Sequence, residues 1–199
     1  MRVNSRWTTL ALAAGLALLS PAVQAHTSGA HGAGIGDGFA HPFGGLDHLL
    51  AMVTVGLWAA QRGGASAWAL PGTFMAAMAA GLLAAVAGIG LPMVETGIAA
   101  SVLILGLVVA LALRPALWVC VATVGVFAVF HGHAHGTELP EAAAPALYGL
   151  GMLAATALLH GAGIALSRAA DARLARLGSG LVRLAGAAVA LGGLVIAAG

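Results

Sequence analysis

Lysine is absent from this 199-residue sequence, cysteine occurs once, and Asp, Glu and Arg together supply only 7% of the residues. A water-soluble domain of ordinary composition carries about 25% charged residues. The deficit excludes a mostly water-facing surface, so lipid must cover most of the chain. The single Cys120, set in an apolar run, excludes disulfides within the chain and thiolate-rich sites of the zinc-finger type. With all side-chain basicity of the Lys/Arg kind vested in eight arginines, the net charge of +2 and pI near 9.5 are read through their placement along the chain. No nucleic-acid partner follows from them. No nucleotide-binding motif and no HExxH are found either. What the sequence has instead is apolar residues, 61% of the total with a mean hydropathy of +1.02, and eight histidines against six acidic residues.

The first 25 residues have the form of a cleaved signal peptide. Arg2 and Arg6 make a positive start, Thr8 to Leu19 a short apolar run, and "PAVQA" places Val23 and Ala25 where a signal peptidase reads small residues. That run of about 12 residues is too short to cross ~30 Å of hydrocarbon. The mature chain is then expected to begin at His26 on the extracytoplasmic side. Residues 26–40 are rich in Gly and Ala and lack periodicity, which predicts a flexible tail. The remainder, 41–199, is expected to be one all-α, polytopic membrane domain of six transmembrane helices, near 42–61, 67–88, 93–113, 116–132, 143–167 and 180–198.

Orientation follows from charge. With the mature N-terminus outside, the loops after the first, third and fifth spans are cytoplasmic, and they carry Arg62, Arg114, Arg168, Arg173, Arg176 and Arg183. Asp37, Glu95, Glu138 and Glu141 fall outside, and Trp58, Trp68 and Trp118 mark the cytoplasmic ends. This pattern predicts a bacterial cytoplasmic-membrane protein. Small residues in "GLLAAVAG", "GLGML" and "GAAVALGG" let helices approach closely in lipid.

Under this topology the histidines gather on one side. His41, Asp47 and His48 lie at the outer end of the first span, and His131, His133 and His135, with Glu138, at the outer end of the fourth. His26 and His31 belong to the outer tail, and only His160 is placed within the bilayer. On an uninterrupted helix, residues seven apart are separated by ~10 Å in rise, too far to share an ion. Pro42 disfavours helical geometry at His41 and suits a first helical turn, while Gly44 and Gly45 permit a bend. His41 can thereby fold back towards His48, with Asp47 as a further ligand or as an orienting partner. In "HGHAH", a helix puts His131 and His135 on one face, and an extended segment puts all three histidines on one side. Gly132 and Gly136 leave both open.

Imidazole and carboxylate without thiolate suit Ni(II), Co(II), Zn(II) or Cu(II). A transport site also needs only moderate affinity, because an ion bound too well does not leave. A mature N-terminal His26 offers an amine and an imidazole to copper or nickel. Glu95 either caps the third helix, where the dipole favours a carboxylate, or belongs to the cation path. A histidine within the bilayer, as at His160, is expensive to bury and has a functional role by default. Met52, Met75, Met78 and Met152 are soft ligands or simple packing.

"HPFGGLDH" and "FHGHAHGTE" resemble the two signatures of the HupE/UreJ nickel permeases, and "VETGIAASVLILGL" and "GLWAAQRGG" are similar to further segments of that family. The likeness covers essentially the whole mature chain. It implies inward movement of Ni(II), or Co(II), to supply hydrogenase or urease maturation. Carried over by motif, it implies functional roles for His41, Asp47, His48, His131, His135 and Glu138, with Phe74 and Glu95 after them. His133 stands at a variable position of the second signature. The HX4DH motif of the larger nickel–cobalt transporter family differs by one residue in spacing. The expected function is therefore metal-ion transport, not enzymatic catalysis, with no enzyme cofactor, the metal ion and the bilayer as partners, and the oligomeric state open. An intramembrane metal-dependent hydrolase and a non-transporting metal sensor are the alternatives. The nearest in-span serine for the former, Ser101, is remote in sequence from both clusters.

Overall fold

The computed structural model describes residues 34–139, 144–174 and 176–199. Among the described residues there are seven helices and no strand: α1 (Ile35–Gly44), α2 (Leu46–Arg62), α3 (Ser66–Val86), α4 (Val94–Ala110), α5 (Leu117–Thr137), α6 (Pro145–Leu174) and α7 (Arg176–Ala198). The expected signal peptide, His26, His31 and Glu141 lie outside the described residues.

The all-α expectation holds, but the spans are not six straight ones. Four helices are long and apolar enough to cross a bilayer: α3, α5, α6 and, within α7, Leu177–Ala198. The segment expected as a first span at 42–61 is instead two helices, α1 and α2, that qualify only as a pair bent by 89°. Ile35 to Ala40, which composition assigns to an aperiodic tail, form the first half of α1. Pro42 sits inside that helix rather than opening one, so His41 is helical and not extended. Its missing N–H releases the carbonyl of Gly38 four residues earlier. The chain turns one step later, at Gly45.

The segment expected at 93–113 becomes α4, only 17 residues long. At 1.5 Å per residue it measures roughly 26 Å, less than the ~30 Å of a straight crossing. Residues with positive φ, Met93 before it and Ala112 after it, clip the helix at both ends. In contrast, α5 runs past the expected 132 to Thr137, and so carries all three histidines of "HGHAH" on continuous helix.

The helices associate in pairs: α3 packs on α5, α4 on α7, and α6 on both α1 and α2. Small residues set the closeness of each crossing. A Cβ at Gly163 would overlap the carbonyl oxygen of Val53 in α2, and one at Gly56 would overlap that of His160 in α6. Gly132 of α5 faces the Met78 carbonyl of α3 in the same way. Leu83, Val126, Leu158, Leu166, Leu184 and Val195 point outward, an apolar exterior suited to lipid.

The two ends of the bundle differ in chemistry. At one, Arg114 Nη2 donates to the Gln61 carbonyl at 2.9 Å, Arg183 Nε to that of Ala110 at 2.8 Å, and Trp58 Nε1 to that of Leu113 at 3.2 Å. The two arginines satisfy carbonyls that helix ends leave without intrahelical partners, and Trp58 binds the connection that follows α4. At the other end stand His48 in the first turn of α2 and His135 in the last turn of α5.

The α2–α6 crossing yields a stability test. Gly163→Val should lower the thermal stability of the detergent-solubilised protein by about 1–3 kcal/mol, as overpacking does. Gly161→Ala, two residues away with nothing within 4 Å of the added methyl, should be neutral or stabilising by up to ~1 kcal/mol. Equal losses in both variants would mean that backbone contact does not set the crossing.

Candidate metal site

The bend at Gly45 assembles the site. It returns α1 towards the start of α2, so His41 and His48 meet with ring centroids 6.4 Å apart despite their separation of seven residues. The φ of −103° at Gly45 suits any residue, so glycine is needed there for space. A Cβ would lie 2.7 Å from Asp47 Oδ1 and 3.0 Å from His48 Nδ1. Continuous helix in α5 places His131 and His135 on one face, and that face meets the bend. The ring of His48 lies 4.8 Å from that of His131 and 4.3 Å from that of His135, while His41 lies 4.8 Å from His135.

Hydrogen bonds fix which nitrogen of each ring offers a lone pair. Asp47 Oδ1 accepts the His48 backbone N–H at 2.7 Å and also faces His48 Nδ1 at 2.8 Å. A carboxylate only accepts, so Nδ1 carries the proton and Nε2 keeps its lone pair. Ser101 Oγ donates to the Ile98 carbonyl at 2.6 Å and must therefore accept from His131 Nε2 at 2.8 Å, which leaves the lone pair on Nδ1. His48 Nε2, His131 Nδ1 and both nitrogens of His135 have no partner among the described residues. Buried polar atoms are normally paired. Three buried imidazoles with free nitrogens, two of them oriented by a neighbour's hydrogen bond, form the arrangement that holds metal-ligating histidines.

A second, more open group overlaps the first. His41, His135 and Glu138 offer ligand atoms that all lie within 4.8 Å of one another. His41 Nε2 contacts Glu138 Oε2 at 3.2 Å, and the ring of Tyr148 edges His41 at 5.7 Å. The hydrogen bond from His41 holds the Glu138 carboxyl below its ordinary value of 4.5, outweighing the opposing effect of partial burial. His135 belongs to both groups. The site is thus a half-exposed rim of His41 and Glu138 above a buried cradle of His48, His131 and His135.

The cradle is enclosed: His131 and His135 are 0% exposed and His48 is 7% exposed. Asp47 is hydrogen-bonded to the His48 ring and backbone through Oδ1. His133 is not brought to the cradle; its Nε2 meets the Ile89 carbonyl at 2.9 Å, on the α3–α4 connection. Glu95 is exposed in the first turn of α4 and forms no ion pair among the described residues. His160 lies deeper, its ring 5.1 Å from Phe74, which in turn lies 5.7 Å from His131. Ser101 and Tyr148 are contacts that spacing did not reveal. Both act across helices, and only the helical phase of "SVLILGL" relative to α5 could have pointed to the serine.

The family model described as HupE / UreJ protein matches residues 13–196. Protein HupE of Rhizobium leguminosarum bv. viciae is 44% identical over 199 residues, covering 100% of each chain. No solved structure matches the chain.

Two outcomes test this geometry. Asp47→Asn should weaken Ni(II) binding to the purified protein by about 10–100-fold, as loss of an orienting carboxylate does, with the helical far-UV signal retained. Unchanged affinity would remove Asp47 from the site. The Glu138 carboxylate, its value depressed, keeps its contact with His41 above the ordinary glutamate range and loses it only as pH falls through the lowered value. Carboxyl carbon NMR should therefore show a Glu138 midpoint below 4.5 that rises in His41→Ala.

Proposed function

The chain belongs to the HupE/UreJ family, and we propose that it carries a divalent transition-metal ion, Ni(II) foremost, inward across the bacterial cytoplasmic membrane. Co(II), Cu(II) and Zn(II) share the ligand preference and are the competing cargoes. The observation that carries this reading is the set of unpaired nitrogens on His48, His131 and His135, enclosed within the bundle and adjoining His41 and Glu138.

The rim and the cradle divide the work. The charged, half-exposed Glu138 attracts the cation and replaces part of its water shell, with His41 beside it. His135, within 5 Å of both His41 and His48 by ring centroid, takes the ion from the rim to the cradle. There it meets imidazole nitrogens and no direct carboxylate, a set that binds without a deep electrostatic trap and so lets the ion move on. Asp47 and Ser101 hold two rings in the tautomer that presents a lone pair, so little rearrangement accompanies binding.

The membrane arrangement completes the proposal. A cleaved signal peptide over 1–25 and a tail with His26 and His31 place the histidine end outside, and the arginines hold the opposite end in the cytoplasm. Six crossings result if the bent α1–α2 pair and the short α4 each count as one, α4 being accommodated by local thinning of the bilayer. Transport then draws on a gradient or on consumption of the metal inside. The hydrolase alternative has weaker support, although Ser101 touches the cradle, because its proton is directed to a carbonyl rather than to His131.

The test is uptake of radioactive nickel, cobalt and copper at trace concentration, in cells with and without the protein. His48→Ala and His131→Ala should each lower nickel uptake about tenfold or more, with unchanged amounts of protein in the membrane. Undiminished accumulation in both variants would sink the proposal.

A further inference from the structure

Beneath the cradle, on the far side of Phe74, lies a second polar group that the transport reading so far does not use. His160 is 1% exposed in the middle of α6. Its Nδ1 donates to the Met52 carbonyl of α2 at 2.7 Å, so the lone pair is on Nε2, and Nε2 has no partner among the described residues. One turn earlier on the same face of α6 is Thr156, whose hydroxyl stands 3.4 Å from Met52 Sδ and 3.8 Å from Met78 Sδ. All three of Thr156, Met52 and Met78 are fully buried. Methionine in a helix bundle is ordinarily packing. Here two thioethers converge on one hydroxyl, a turn away from a buried imidazole whose tautomer is set with its lone pair free.

We propose that His160 Nε2 with the Met52 and Met78 thioethers forms a second metal station, deeper along the bundle than the cradle and softer in its ligands. This inference rests on the transport reading, because an isolated chain of buried ligands has no purpose without an ion arriving from the cradle. Its depth follows from α6, along which His160 is twelve residues beyond Tyr148, the neighbour of His41 at the rim. At 1.5 Å per residue that is roughly 18 Å. Phe74 is an apolar ring between the two groups, so the stations are separate and not one continuous site. Thr156 donates its one hydroxyl proton to Met52 Sδ, the nearer sulfur, and leaves Met78 Sδ in contact with the hydroxyl oxygen at 3.8 Å. The ligand class is a borderline-to-soft transition-metal ion: thioether sulfur contributes little to Mg(II), Ca(II) or Mn(II), which prefer oxygen. A cation that satisfies the imidazole–carboxylate rim but has no affinity for thioether would reach the cradle and proceed no further.

The experiment uses the full-length protein in detergent, loaded with Ni(II), and compares the wild type with His160→Gln and with the Met52→Leu/Met78→Leu double variant. The leucines conserve volume, which keeps the packing penalty small. Equilibrium dialysis should reveal two classes of Ni(II) site in the wild type, with the weaker class lost in either variant and the affinity of the stronger class unchanged. Nickel X-ray absorption at saturation should contain a sulfur shell that disappears in the double variant while the nitrogen and oxygen shell persists. Nickel uptake in cells should fall about tenfold in both variants. A single class of site in the wild type, or no sulfur shell at saturation, overturns the inner station. So does an uptake defect in the double variant with its Ni(II) binding unaltered, since that outcome assigns the methionines to packing. None of these outcomes bears on the rim and cradle, whose failure would be read from His48→Ala and His131→Ala.

Discussion

The site depends on the break in the backbone at Gly45. A straight helix through 39–58 would hold His41 and His48 on one face but about 10 Å apart along the axis. The 89° turn converts that separation into a contact and aims both rings at the end of α5. The break also creates a new helix N-terminus, and Asp47 occupies its first turn, where the dipole favours a carboxylate. The same carboxylate accepts the backbone N–H and the ring N–H of His48. The chain turns at Gly45, and the missing Cβ there leaves room for the Asp47–His48 contact. A side chain at residue 45 would strike the very atoms that make the contact.

Polarity in the middle of this apolar bundle is partly accommodated by defined partners. His131 is held by Ser101 and His160 by the Met52 carbonyl, and each retains one free nitrogen. Leaving such atoms unpaired normally costs about 1–3 kcal/mol each. A protein that only needed to fold would fill these positions with leucine. Unpaired nitrogens on His48, His131 and His135, with another on His160 across the ring of Phe74, are together a stronger signal than any single histidine. Close helix packing supports it. Glycine contacts at the α2–α6 and α3–α5 crossings fix the backbones that carry the polar side chains, so the free nitrogens are positioned by rigid elements and not by loops.

Much of this was legible in the sequence, and the illegible part has physical causes. Lipid exposure followed from the missing charge, and the segregation of arginines from histidines followed from simple counting along the apolar runs. The convergence of "HPFGGLDH" with "FHGHAHGTE" was also readable, because proline and paired glycines announce a bend. The manner of the bend was not. Pro42 was expected to expel His41 from a helix, yet the helix is maintained upstream by its packing on α6, where Gly38 lies against the backbone of Tyr148. Tertiary contact overrode a local preference. The burial of His131 and His135 was hidden for a related reason. Their position at the end of an apolar run suggests the aqueous boundary, but α5 continues past them and α1 folds over them. Ser101 could not be assigned either, since a contact thirty residues away depends on the rotational phase of two packed helices.

The opposite end of the bundle imposes the constraint that completes the picture. Arg114 and Arg183 hydrogen-bond the last carbonyls of α2 and α4, the negative ends of those helix dipoles. Their charge is thus partly balanced by backbone and is held in place. Under the transport reading, an ion descending from the cradle approaches fixed positive groups after leaving a region with Glu138 and Asp47. Coulomb interaction alone would return it towards the rim, so the descent must be driven by ligand exchange at each step or by a gradient across the membrane. Ligands whose softness increases with depth meet the first need without adding negative charge to the interior, because a thioether binds a transition metal while remaining neutral. An inner carboxylate would be costlier to desolvate and would hold the ion more firmly against release. Neutral nitrogen and sulfur inside, carboxylate at the rim and arginine at the far end are mutually consistent with the transport reading, in which a small bundle admits a cation and must also let it go.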